Sequence, residues 1–494
     1  MKIFPFLTNL FVLFLLATFS GFSQYEISLS MKTRNDTVTL IHVFAKEQSW
    51  YPDTTIVLRN GKGVFKGNKV LPKGLYAIYN DKQKLDFLIG DNQQFGIEVD
   101  TSDFINKTRF ISSPDNDVFY EHIRDNNQRG KKQQQLREQY QNTADDSEKR
   151  TIVEQLQTLY NEKLALTQKL INDNEDLFAS KFLKGILPLQ IPEPPRDEQG
   201  RITDSLFQYR WYRTHFFDNF NIYDPDMLRN DMYEKQLTDY LTWFIKYHLS
   251  ISIDTIYAEF DRMLTKAKPN KEVFRCVLAT IYNHCINSNL IIRDNFWVHL
   301  VDNWYVPYAD WSTNIEDMQK AADKIRPTLI GKLAPPLEQL LWLSPDHFKA
   351  AALDTAIKND IHAGRIIPDF RKNIQSKYLV LLFWDVSCSH CKATIQELWE
   401  IFEACKDKGL QVIAVQTLIG REGKVKWIDY INEHGMYDWF NAWIIYDLKW
   451  HELYIHGEGV PKVYLLNEKK EILLRGSFDI KNIQSIVEAD AAKN

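Results

Sequence analysis

Two cysteines three positions apart, Cys388 and Cys391, enclose Ser389 and His390 a few residues after the apolar run YLVLLFW (378–384). The residues that follow, KATIQELWEIF, repeat apolar positions at helical spacing, so a helix is expected from about Cys388 to Asp407. A thiol at a helix N-terminus meets the positive end of the macrodipole and unpaired backbone N–H groups, and both favour the thiolate. Cys388 is therefore the expected nucleophile. Cys391, Ile395, Leu398, Phe402 and Cys405 form one stripe facing the sheet, which makes Cys391 the expected buried resolving thiol and Cys405 a small core residue. His390 can place positive charge beside Cys388, which makes it a better leaving group and the pair more oxidising. The chemistry that fits is thiol–disulfide exchange: Cys388 forms a mixed disulfide, Cys391 resolves it, and no metal or organic cofactor is required.

Other uses of this spacing fit less well. A structural zinc site needs four ligands, and the sequence holds no second C-x-x-C and no H-x-x-x-H. A peroxidase of the peroxiredoxin type carries Thr or Ser three residues before its reactive cysteine, where this chain has Asp385. Cys276 and Cys285 are nine residues apart, a rise of about 13 Å on one helix, so they are expected to be buried thiols rather than a bridge.

The elements around the motif alternate in type. KYLVLLFWD, LQVIAVQT, FNAWIIYD and PKVYLLN are interleaved with helices, and EILLRG closes a hairpin before a last helix from Asp479. That pattern predicts a mostly parallel sheet with right-handed crossovers and an antiparallel edge. Gly459-Val460-Pro461 opens the strand PKVYLLN, and a proline there cannot donate to the ladder and suits a turn with a cis peptide bond.

On these residues the stretch from about Leu329 to the C-terminus resembles the thioredoxin fold: FW shortly before C-x-x-C, the βαβ unit, a proline facing the motif, and a closing hairpin plus helix. The lead-in IGKLAPPL is similar to that of exported TlpA/ResA-like and AhpC/TSA-like thioredoxin domains. The resemblance implies a cis Pro461 against the cysteine pair, and a docking surface formed by Trp384, Val460 and Pro461. The match has departures: Leu382 stands where thioredoxins carry a buried aspartate, and Thr394 and Gln396 replace the Glu and Pro of the TlpA/ResA-like pattern. Asp385 and Glu397 are nearby carboxylates, with Asp385 read as a loop residue near the helix start. Ser389-His390 is similar to the dipeptides of DsbA-like and disulfide-isomerase sites, which implies oxidation or isomerisation.

At 494 residues the chain suggests about three units. Residues 1–23 read as a secretory signal peptide: Lys2, an apolar run from Leu10 to Phe19, then Ser20, Gly21 and Ser23. Residues 24–115 read as a β-rich domain, an N-terminal β-sandwich of short strands with Asn60-Gly61 among its turns. Residues 116–328 read as a central all-α domain with loops at 192–200 and 268–270, and 329–494 as the α/β thioredoxin-like domain. The export signal places the protein in the periplasm or cell envelope, with membrane attachment only if the leader stays uncleaved. Sixty basic against 65 acidic residues leave no basic stripe for nucleic acid. The expected partners are protein thiols and disulfides and a redox partner protein. A second reading makes the thioredoxin domain a scaffold and assigns partner binding to the first two regions, including Trp243, Trp297, Trp304 and Trp311.

Overall fold

The computed structural model describes residues 23–492, except 47–48, 82, 250–251, 338–339, 444–448, 458 and 477. The expected leader, up to residue 22, and the last four residues of the expected strand FNAWIIYD thus lie outside the described residues. The chain divides into two compact units, one of 1–256 with 265–277 and one of 257–264 with 278–494.

In the first unit the short β-branched and aromatic runs form eight strands: β1 (Tyr25–Met31), β2 (Thr37–Val43), β3 (Trp50–Val57), β4 (Lys62–Gly67), β5 (Gly74–Asn80), β6 (Gln83–Ile89), β7 (Gln94–Val99) and β8 (Arg109–Ile111). They build two sheets, ordered β4-β1-β7-β8 and β3-β2-β5-β6. Asn60 and Gly61, both at positive φ, turn the chain from one sheet to the other. Tyr25, Ile27, Leu29 and Met31 alternate inward along β1, and their face shares a core with Val38, Tyr76 and Phe87 of the other sheet. Helices α1 (Pro114–Asn142), α2 (Asp146–Asp173) and α3 (Phe178–Lys184) join that same core through Phe119, Leu170 and Phe182. Asn116, fully buried at the start of α1, accepts from the Leu88 N–H at 2.8 Å and donates to the Leu88 carbonyl at 2.8 Å. The helix start thereby takes the place of a strand partner for β6.

This shared core changes the domain picture. The helical stretch is not a separate body: α1–α3, α4 (Phe207–His215) and α5 (Tyr233–His248) group with the sandwich, while α6 (Ile253–Ala267) and α7 (Lys271–Ile286) contribute residues to both units. The lysine- and glutamine-rich run at 131–135 lies on the polar surface of α1.

The second unit adds α8 (Arg293–Leu300), the short α9 (Val306–Tyr308) and α10 (Ile315–Ile325) to an α/β body. That body runs β9 (Leu340–Trp342), α11 (Pro345–Leu353), α12 (Thr355–Asn359), β10 (Arg365–Ile367), α13 (Phe370–Asn373), β11 (Tyr378–Trp384), α14 (Ser389–Cys405), β12 (Leu410–Gln416), α15 (Arg421–His434), β13 (Phe440–Trp443), β14 (Lys462–Leu466), β15 (Ile472–Gly476) and α16 (Lys481–Ala491). Its sheet order is β10-β9-β13-β12-β11-β14-β15, with β11, β12 and β13 parallel and β14 and β15 antiparallel. All seven residues of β11 are buried, as an apolar run covered on both faces requires. Leu382, Leu398, Ile428 and Ile483 belong to the core on one face; Phe383, Trp450 and Tyr454 belong to the core on the other.

Candidate functional site

The central strand β11 ends at Trp384, whose carbonyl accepts from the Thr417 N–H (2.8 Å) and hydroxyl (3.0 Å) at the end of β12. Asp385 then turns the chain: its carboxylate accepts from the Ser387 N–H at 2.7 Å and the Ser387 hydroxyl at 2.6 Å, and its carbonyl accepts from the Cys388 N–H at 3.0 Å. These bonds make Asp385 a loop former. They set Cys388 in extended backbone as the N-cap of α14.

Cys388 Sγ accepts from the Cys391 N–H at 3.3 Å, so the sulfur itself caps the helix. A thiolate there is stabilised by the same donor and by the helix dipole. Cys388 is half-buried, whereas Cys391 is fully buried among Ile395, Leu398, Phe402 and Cys405. Burial, then the adjoining Cys388 thiol, pushes the Cys391 thiol up to about 12, and the Asp385 backbone N–H opposes that rise. Leu382 is fully buried in the same core as Cys391.

Opposite the motif, the Val460–Pro461 peptide bond is cis, and Cys388 Sγ lies 4.0 Å from the Val460 carbonyl. The cysteine pair therefore faces a cis proline at the mouth of β14, in a sheet whose central order is β13-β12-β11-β14-β15. The C-terminal body has the thioredoxin fold.

Three of the solved structures similar to this chain illustrate the likeness. A thioredoxin-like protein from Bacteroides caccae is 18% identical over 61% of this chain and 99% of its own, with a TM-score of 0.40. The thioredoxin domain of a thiol-disulfide oxidoreductase from Bacteroides vulgatus is 18% identical over 33% and 96%, TM-score 0.24. A thiol:disulfide interchange protein from a Bacteroides species is 19% identical over 34% and 90%, TM-score 0.24. No family model and no curated protein matches the chain.

Within this thioredoxin fold Val460 and Pro461 are half-buried beside Cys388, and His390 stands exposed in the first turn of α14. Trp384 does not line a surface. It is fully buried, because β11 is covered on both faces and leaves its last residue no solvent side. Its ring packs on Tyr430 of α15 at 5.4 Å. Tyr430, half-buried, also stacks on His434 at 4.1 Å and lies under the Lys392 ammonium at 5.6 Å. An open groove of about 780 Å³ runs there along α14, with Gln396, Trp399 and Tyr430 among its walls. Nothing in the sequence near the motif marks Tyr430, which arrives from an element 42 positions after Cys388.

Proposed function

We propose that this protein is an extracytoplasmic thiol–disulfide oxidoreductase that works on protein dithiols and disulfides through Cys388 and Cys391. The observation that carries this reading is the asymmetry of the pair: Cys388 half-exposed with its sulfur on a helix N-terminus, Cys391 sealed behind it. In the reducing direction the Cys388 thiolate attacks a substrate disulfide, forming a mixed disulfide and releasing one substrate sulfur as thiolate. Cys391 then gives up its proton to solvent and attacks Cys388 Sγ; the second substrate sulfur leaves, and the Cys388–Cys391 disulfide remains. Two electrons pass to the substrate. The reverse sequence oxidises a substrate dithiol.

Val460 and Pro461 form the floor against which the substrate segment lies, and the groove at Tyr430 and Trp399 takes its flanking residues. His390, exposed in the first turn of α14, can place positive charge near Cys388 when protonated, which would tilt the couple toward oxidation or isomerisation. The apolar N-terminal run following Lys2 supports export to the periplasm or cell envelope, where a redox partner protein would recycle the pair.

The test is exchange by the full chain, measured as reduction of insulin disulfides and as oxidation of a dithiol peptide. Cys388→Ser should abolish both, while Cys276→Ser, Cys285→Ser and Cys405→Ser should leave them intact. Activity retained in Cys388→Ser would remove the proposal.

A further inference from the structure

The groove beside α14 has a polarity that the exchange chemistry does not use. Lys392, Gln396, Trp399 and Glu400 follow one another at three- and four-residue spacing, so they share the face of α14 that borders it, while Tyr430 and Glu433 border it from α15. Trp399 is half-buried, and its ring packs on Trp439 at 5.3 Å and Phe402 at 5.8 Å, which fixes it as a wall. Lys392 is the sole lysine or arginine among the described residues of these walls, and its ammonium lies over Tyr430 at 5.6 Å. It directly follows Cys391, at the motif end of the groove. Glu400 stands eight residues later, about 12 Å further along the helix and beyond a Debye length of about 8 to 10 Å.

The far end is acidic. Glu400 and Glu433 are exposed, and neither forms an ion pair with another described residue. Burial, and then the Glu433 charge, raise the Tyr430 hydroxyl above its ordinary value, so that charge reaches the aromatic wall. Two uncommitted carboxylates beside an indole suit a cationic side chain, and a guanidinium both pairs with carboxylates and stacks on the ring. The reach is set by the helix. Glu400 lies twelve residues after Cys388, about 18 Å along the axis, which an extended peptide covers in about five or six residues. We propose that the groove receives an arginine placed five or six residues from the reactive cysteine of a protein substrate, seated on Trp399 with Glu400 and Glu433. The inference rests on the exchange reading above and names its substrate class: cysteines flanked at that distance by a basic residue.

Synthetic peptides test this. Each carries one cysteine as its mixed disulfide with neutral 2-thiopyridine and one Arg, Gln or Glu, placed two or five to six residues away on either side. Attack by the Cys388 thiolate joins Cys388 to the peptide sulfur, breaks the peptide–thiopyridine bond and releases 2-thiopyridine, whose absorbance gives the rate for the full chain. Arg at five or six residues on one side should react at least fivefold faster than Gln and faster still than Glu, and Arg at two residues should give no gain. The double variant Glu400→Gln with Glu433→Gln should erase the Arg preference while leaving the rate with the Gln peptide unchanged, and lysines at both positions should turn the preference toward Glu. Equal rates for Arg, Gln and Glu, or an Arg preference that survives the double substitution, would overturn the proposal. If no peptide reacts, the exchange reading fails instead, and binding of the cysteine-to-serine peptides decides the groove: the Arg peptide should bind at least fivefold more tightly than the Gln peptide, and equal binding overturns it.

Discussion

At the scale of single residues, the thiols differ in what surrounds them. Cys388 has a backbone donor on its sulfur, and Cys391 has an apolar core and a proton held up to about 12. The second step of exchange therefore carries the larger proton cost at neutral pH, and the mixed disulfide should be long-lived. Its resolution should accelerate with rising pH across the range from about 7 to 10, since the thiolate fraction of Cys391 grows tenfold per unit below its pKa. Leu382→Asp would put a carboxylate base into the same core. The expected outcome is faster resolution at pH 7, roughly tenfold, with a loss of stability of a few kcal/mol from burying the carboxyl. Stopped-flow quenching of the mixed disulfide measures both, and a pH-independent resolution rate in the wild type would contradict the assignment.

At the scale of elements, periodicity was legible and surroundings were not. The stripe Cys391, Ile395, Leu398, Phe402, Cys405 could be read from spacing alone, and all five are buried. The strand ending at Trp384 could be read from its apolar run, but the same run carries the reason Trp384 is interior: a strand apolar at every position has no open face. The three-residue strands β9 and β10, which widen the sheet, are too short to leave a period in the sequence. In the first unit, α1 and α2 are tied by a buried histidine no sequence pattern announces. His122 Nε2 accepts from Asn126 at 2.6 Å, and its Nδ1 lies 3.2 Å from the Thr167 hydroxyl. Burial lowers its pKa to about 4, so the folded chain keeps it neutral while the unfolded chain protonates near 6.5. This contribution is present above pH 6.5 and is lost as pH falls toward 4, up to roughly 3 kcal/mol. Urea unfolding of His122→Gln should show a flatter acid limb than the wild type; equal limbs would count against the role of this residue.

At the scale of the whole molecule, three regions in sequence became two compact units because cores, not composition, set boundaries. Asn116 pairing with Leu88 and Phe119 packing among the strands could not be anticipated from a change in residue usage at about position 115. The C-terminal α/β body, by contrast, was recognisable because its motif, strands and proline are local signals. The second unit also stores two buried thiols, Cys285 and Cys391, each raised to about 12 chiefly by burial. A raised thiol stabilises the fold below the ordinary value near 8.5 and loses that contribution as pH climbs toward 12. The reduced protein should thus lose urea resistance between about pH 8.5 and 10 more steeply than Cys285→Ala does, and oxidation of the 388–391 pair should soften the loss further. Equal slopes in all three samples would refute this.

In the proposed mechanism Cys388 alone receives the substrate sulfur and Cys391 alone removes it. The most direct measurement is intact-mass and peptide mapping of Cys391→Ser after incubation with a protein disulfide. One covalent mixed disulfide should accumulate, located on Cys388, and wild type should pass through the same adduct without retaining it. An adduct on Cys276, Cys285 or Cys405, or none on Cys388, would contradict the account.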